Sequence, residues 1–388
     1  MKVKVPDFSF YLAYLLILFN GFISNTDFVK VIPGILGFLT PLYFISWLLL
    51  ALAFFFNGKI SSYKIVAIII FLPILSLVSL KSGHFQALFT LFLLIITVSN
   101  VNLNSVFKLH CYFLVIMMFA VAVSFKLGIL PQRLVFRGTT VRYFLGYDYT
   151  SFFLNYLFHL ICIGIFVFRD KIPYLVIFIL AYINNVGYQL TDTKSAYYLS
   201  LCALILWFFY KMFRNHVIME RIDSLSPIIE SLSVMLACGT IVFLSYFYNG
   251  SFIFTYLDRI LTNRLSLSKA AIDLYGIHLW GNRVEWYFGT DFTSTYLFVD
   301  SSFVNILINY GVVFLVCICI AYFILAKKNI YSDRYYILGL VLIVVHSMFD
   351  PQFLLISYNP FILFLGLVFE KNMYHSKELV DKVAKTST

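Results

Sequence analysis

The stretch VIPGILGFLTPLYFISWLLLALAFFF, Val31–Phe56, carries no charged side chain. An α-helix needs about 20 apolar residues to cross ~30 Å of hydrocarbon, and this run exceeds that. Comparable runs recur at 8–23, 63–80, 85–99, 109–128, 151–168, 172–190, 195–213, 227–248, 302–326, 335–350 and 353–369. Their spacing predicts an all-α polytopic integral membrane protein, a single membrane domain over 1–388 with about twelve spans. The count ranges from eleven to thirteen, because 85–99 and 335–350 are short and 172–190 ends in the polar residues Asn184, Asn185 and Gln189.

Composition agrees with this reading. Hydrophobic residues make up 62% of the 388 and charged residues 12%, with a mean hydropathy of +0.91. A soluble domain runs near 25% charged, so too little polar surface exists here to coat a globule. Disordered, collagenous, disulfide-rich secreted and nucleic-acid-binding classes are excluded. The six cysteines all fall within apolar runs, where packing is their expected role. Cys317-Ile-Cys319 lacks the spacing and histidine partners of a zinc site.

Lys and Arg in short loops mark the cytoplasmic side. Placing the N-terminus inside and alternating the spans puts most of them there, so both termini are expected in the cytoplasm. The polar tail 370–388 is then a cytoplasmic end. Arginine sorts the other way, however. Six of the ten lie outside, Arg133, Arg137, Arg142, Arg259, Arg264 and Arg283, all in two long extracytoplasmic loops at 129–150 and 249–301. One reading is solvated arginine near lipid headgroups. The sharper one is that a planar, always-charged fork is used there to grip phosphate.

The chain holds no GxxxxGK[ST] or GxGxxG run and no inside loop long enough to fold a domain, which argues against cytosolic nucleotide chemistry. In the first loop, Arg137 and Arg142 flank a polar turn, with Tyr147 and Asp148 just beyond. Its tyrosines suit either an interfacial aromatic belt or sugar and isoprenoid surfaces. In the second loop, 256–261 and 265–275 show helical periodicity with a break at Thr262-Asn263. An anion is favoured at the N-terminus of the helix that follows that break. Near the outer end of the eleventh span, His346 and Asp350 sit four apart on one helical face. Ionisable pairs inside a membrane are functional candidates.

These residues bring a family resemblance. Leu261-Thr-Asn-Arg264-Leu, then a helix, then Tyr275-Gly276-Ile-His-Leu-Trp-Gly281 resembles the pattern of Wzy-type repeat-unit polymerases, which assemble bacterial O-antigen, capsule and exopolysaccharide. Val299-Asp300-Ser301-Ser302-Phe303-Val-Asn305-Ile-Leu-Ile-Asn309-Tyr-Gly311 is similar to that family's entry into the span after its large loop. Arg142-Tyr-Phe-Leu-Gly146-Tyr147 is similar to its Arg-x-x-Leu-Gly-Phe segment. Thr193-Lys194-Ser195 stands where many members carry Arg before Ser or Thr; lysine keeps the charge and loses the fork.

The resemblance implies a GT-C-like glycosyltransferase of the bacterial plasma membrane, related to the O-antigen ligases. It would transfer a growing chain from undecaprenyl pyrophosphate onto a new lipid-linked unit at the outer face. It implies no cofactor and no metal, with arginines neutralising the pyrophosphate, and a chain-length regulator as a further partner. Arg264 and Arg142 are the first candidates for the diphosphate, and Arg137 and Arg259 support them. Arg283, Lys194, Tyr147, Asp148, His346 and Asp350 are candidates for lining the substrate site. Asp300 is the first candidate for the base and His278 the second, while Asp300 also suits the N-cap of the next helix. An O-antigen-ligase-like transferase and a flippase for lipid-linked saccharide are the competing functions.

Overall fold

The computed structural model describes residues 5–56, 62–99, 101–287, 296–328 and 333–369; the tail expected at 370–388 lies outside them. The chain is an all-α bundle carrying one small hairpin. Its helices are α1 (Val5–Ile23), α2 (Phe28–Val31), α3 (Ile35–Phe55), α4 (Ser62–Ser82), α5 (Phe85–Val98), α6 (Leu103–Lys126) and α7 (Phe152–Phe168). They continue as α8 (Tyr174–Thr191), α9 (Lys194–Met212), α10 (Val217–Tyr246), α11 (Phe252–Ile260), α12 (Arg264–Tyr275), α13 (Ser302–Lys328) and α14 (Arg334–Ser347). Among the described residues, nine helices are long and apolar enough to cross a membrane. With exposed leucine, isoleucine and phenylalanine along their outer faces, they make a multi-pass membrane protein.

Three apolar segments depart from a full-length helix. α5 and α14 have 14 residues each, about 21 Å of helix. The run expected at 353–369 forms turns and then a 3₁₀ helix, Pro360–Phe369. Asn359 shapes its start, donating to the Phe353 carbonyl at 2.7 Å and accepting from the Phe361 N–H at 3.1 Å. Close packing holds it, since a β-carbon on Gly366 would lie 2.4 Å from the Ile95 carbonyl oxygen. α10 begins ten residues before the expected 227, because the amphipathic stretch from Val217 extends the helix past Pro227.

The two ends of the bundle differ. At one, ion pairs staple the interhelical loops: Arg169 meets Asp333, and Arg334 forks onto Asp223 with Nε 3.0 Å from Oδ2. The other end carries the two long loops. The first is a hairpin, β1 (Leu134–Arg137) with β2 (Thr140–Tyr143), antiparallel with Val135 opposite Arg142. It is anchored to the end of α1, where the Asp27 N–H donates to the Gly146 carbonyl and the Asp148 N–H to the Asn25 carbonyl, both at 2.9 Å. Arg133 binds the buried Asp27 carboxylate at 2.7 Å and lies over the Phe144 ring.

The second loop is threaded into α13. That helix is interrupted at Gly311 (φ 88°, ψ 173°). The broken helix leaves backbone groups to be satisfied, and segment 278–282 satisfies them. The carbonyls of His278 and Leu279 accept from the N–H groups of Val312 and Val313 at 3.0 and 3.1 Å. The Asn282 N–H donates to the Asn309 carbonyl at 3.1 Å.

Candidate functional site

Arg264 opens α12, and the turn before it dictates its position. Thr262 and Asn263 both take left-handed φ, 56° and 65°, an uncommon conformation for a β-branched residue. The turn is held by Asp258, whose carboxylate accepts from the N–H groups of Leu265 at 2.8 Å and Ser266 at 3.2 Å. The helix start is thereby capped by Asp258 from α11, and Arg264 is left to face the bundle. Its Nη1 donates to the Thr262 hydroxyl at 2.7 Å, and its Nε lies 3.5 Å from Asp300 Oδ2.

Asp300 precedes α13. The cap of that helix falls to its neighbour: the Ser301 hydroxyl accepts from the Val304 N–H at 3.5 Å. The Asp300 carboxyl is instead turned to Arg264. Burial pushes it up from the ordinary carboxylate value to about 6, Arg264 opposes the shift, nearby Asp350 adds to it, and Arg137 opposes it. Burial also pushes up the phenol of Tyr296, with the Asp300 charge adding to the effect.

Behind this pair stands Asp350, held by four elements. Asn155 of α7 donates to Oδ1 at 3.3 Å, and Ser195 of α9 donates to Oδ2 at 3.1 Å. His346 Nε2 of α14 lies 3.2 Å from Oδ2, and Ser302 of α13 donates to the Asp350 backbone carbonyl at 2.5 Å. Both the carboxylate and the imidazole are buried. The i, i+4 spacing read from sequence therefore does bring the two together.

Arg142 approaches from the hairpin. It is 9% exposed, and its Nε donates to the carbonyl of Thr191 at 2.6 Å, at the C-terminal end of α8, where a cation is favoured. Burial pushes its guanidinium down, while Tyr149 and Asp192 act upward against it. Arg137 stays exposed at the hairpin turn, close enough to act on both Arg142 and Asp300. One arginine from each long loop, Arg137 and Arg264, thus acts on the Asp300 carboxyl.

The other candidates lie elsewhere. Tyr147 is 1% exposed and packs against Phe22 and Tyr156 in the core. Asp148 is partly exposed and pairs with Lys30 and Arg133. Lys194 is exposed, and its neighbour Ser195 is the residue that reaches Asp350. His278 is exposed, with Nε2 2.9 Å from the Tyr275 carbonyl. Arg259 and Arg283 are exposed on α11 and in the loop that follows α12. Asn184 hydrogen-bonds across helices to the Tyr197 carbonyl at 3.0 Å.

Asn155 and His159 escaped the sequence reading because they lie inside the apolar run of α7. A polar side chain in such a run was the signal that marks them. Among the described residues, no group of three or more His, Cys, Asp or Glu side chains is arranged to hold a metal ion. No family model, no curated protein and no solved structure matches this chain.

Proposed function

We propose that this chain is a membrane glycosyltransferase that polymerises undecaprenyl-pyrophosphate-linked oligosaccharide repeat units at the outer face of the bacterial plasma membrane. One observation carries the reading. Arg264 is set against Asp300, and Arg137 of the other long loop acts on the same carboxyl. In this reading the chain crosses the membrane twelve times, with α5, α14 and the final 3₁₀ segment as short crossings. Both termini are cytoplasmic, and the architecture is of the GT-C kind.

The acceptor hydroxyl attacks the anomeric carbon of the donor chain. The bond from that carbon to the pyrophosphate oxygen breaks, and its electron pair leaves with the lipid pyrophosphate. Negative charge grows on that oxygen, where Arg264, with Arg142 and Arg137, supplies fixed positive charge. Preorganised donors of this sort contribute several kcal/mol to a transition state. Asp300 takes the hydroxyl proton, and a carboxyl titrating near 6 is ionised at neutral pH yet basic enough for the task.

Cells lacking the gene test this reading. Lipid-linked and surface glycans are resolved by size, and single repeat units are located by face. Single units accumulating on the outer face, with long polymer lost, are the expected result. Single units confined to the cytoplasmic face would make the protein a flippase and overturn the assignment.

A further inference from the structure

α11 is amphipathic in the reverse sense. Its residues Phe252, Ile253, Tyr256 and Ile260 are 86%, 70%, 58% and 59% exposed, while Asp258 is buried. At about 100° per residue, the four apolar side chains fall within one arc of about 100°, and Asp258 lies opposite its centre. An amphipathic helix on a globule turns its apolar stripe to the core and its charges to water. Here the carboxylate goes inward, and the aromatic and aliphatic side chains go out. We propose that α11 is an interfacial anchor, lying along the membrane surface with this stripe seated among the acyl chains of the leaflet at the long-loop end of the bundle. The face is an anchor whatever reaction the neighbouring site performs.

Two connections hold α11 at the level of that leaflet. α10 has 30 residues, about 45 Å of helix, more than the ~30 Å of hydrocarbon it has to cross. Its last turn carries Phe243 and Tyr246, with Phe247 just beyond, and all three are exposed. Aromatic rings collect at the boundary between membrane and water. Only residues 247–251 join α10 to α11, a reach of at most about 20 Å. Phe254 packs edge-on against Tyr248 of that link, with ring centroids 6.0 Å apart, and so draws α11 back to the end of α10. α12 is held at the same level, where Lys269 Nζ lies over the Tyr246 ring at 5.7 Å. The lipid-facing surface of α10 therefore continues at short range into the stripe of α11. An apolar stripe left in water invites association, and lipid is the apolar medium already against α10. Arg259 is exposed and borders the stripe beside Phe252. Its stem can lie along the apolar surface while the guanidinium reaches headgroup phosphates.

The inward face of α11 shows what the anchor holds. The Asp258 carboxylate accepts from the N–H groups of Leu265 and Ser266 at 2.8 and 3.2 Å. The Asn263 N–H donates to the Asp258 backbone carbonyl at 2.8 Å. The turn at Thr262-Asn263, and Arg264 after it, are thus fastened to a helix whose opposite face lies in lipid. The membrane surface sets the depth at which Arg264 stands.

The full chain in phosphatidylglycerol nanodiscs, spin-labelled at Tyr256→Cys, tests the anchor. Cys202→Ser removes the exposed native thiol, the other five being buried or half-buried. Leu236→Cys on the exposed face of α10 supplies the lipid reference, and Thr139→Cys at the hairpin turn supplies the water reference. Power saturation compares access to oxygen, which partitions into lipid, with access to a nickel chelate, which stays in water. A label at 256 that favours oxygen, as the label at 236 does, is expected. One that favours the chelate, as at 139, places the stripe in water and overturns the anchor. Shielding from both reagents means that a second copy or another protein covers the stripe, and overturns it equally. Should a labelled variant fail to accumulate, wild-type chain in nanodiscs carrying a diazirine on the lipid acyl chain decides. Lipid adducts mapped within 252–260 are expected, and adducts on α10 with none in 252–260 overturn the proposal.

Discussion

Gly281 and Gly311 cross backbone to backbone, with no room for a side chain on either. A β-carbon on Gly281 would lie 2.1 Å from the Asn309 carbonyl oxygen, and one on Gly311 would lie 2.3 Å from the Gly281 nitrogen. Both residues also take positive φ, 80° and 88°, which glycine tolerates and other residues rarely adopt. The crossing fixes the second long loop to the first half of α13. Asp300 sits just before that half-helix and Arg264 lies in the loop, so the geometry of the pair depends on a contact eleven residues beyond Asp300.

Gly281→Ala is therefore expected to be among the most damaging single substitutions in the chain. The clash is with backbone, which cannot swing aside as a flexible side chain does. A loss of about 3 kcal/mol or more falls in the range reserved for such mechanisms. Thermal unfolding of detergent-purified protein measures it, and an unchanged midpoint would show that the loop is not threaded as described. Gly250→Ala is a useful reference, since a β-carbon there meets nothing within 4 Å although its φ is also positive.

Arg264→Lys tests the fork against the charge. Lysine retains the positive charge but cannot reproduce the planar donor set that reaches Thr262 and faces Asp300. Polymer is expected to fall about 10²–10³-fold, the scale found for losing one preorganised donor, with membrane abundance unchanged. Wild-type polymer length in this variant would remove the clamp from the mechanism.

The order of the nine long apolar helices was legible because hydrocarbon imposes a length and a polarity on a crossing, and both are written directly in sequence. The break at Thr262-Asn263 was legible too, as a polar pair between two periodic stretches. Tertiary placement was not. Tyr147 reads like its neighbour Tyr149, yet one is core and the other about half exposed, because the Thr26–Tyr147 bridge pins that point of the loop to the turn that follows α1. Lys194 carried the charge that sequence reasoning looked for, but the start of α9 turns Ser195 inward and leaves Lys194 outside. Nor does periodicity identify the 3₁₀ segment Pro360–Phe369, since an apolar run of ten residues suits either winding.

The opposite end of the bundle gives a contrasting case. Arg334 forks onto Asp223 and also donates to the Arg214 carbonyl at 3.1 Å. The pair is partly exposed, with side-chain exposures of 16% and 30%, so Arg334→Ala is expected to cost about 1–2 kcal/mol rather than the larger penalty of a sealed ion pair. Polymer length should not change, because the pair sits at the end remote from the long loops. Thermal midpoint and glycan profile measured on the same variant check both statements.

Asp300→Asn joins the structure to pH. In the folded chain burial raises the carboxyl to about 6 from an ordinary 3.8, so the folded state binds its proton more tightly than the unfolded state does. Its stability contribution is fully present below about pH 3.8 and is lost as pH rises through about 6. Activity runs the other way, since a base must be unprotonated to accept. Turnover is expected to be half-maximal near pH 6 and to fall about tenfold for each unit below it. Asparagine keeps the volume and abolishes the titration, so Asp300→Asn should show low turnover with no inflection near 6. Measured on purified protein with a lipid-pyrophosphate oligosaccharide, a wild-type profile flat from about pH 5 to 8 would take the base away from Asp300 and leave it only as the counter-charge of Arg264.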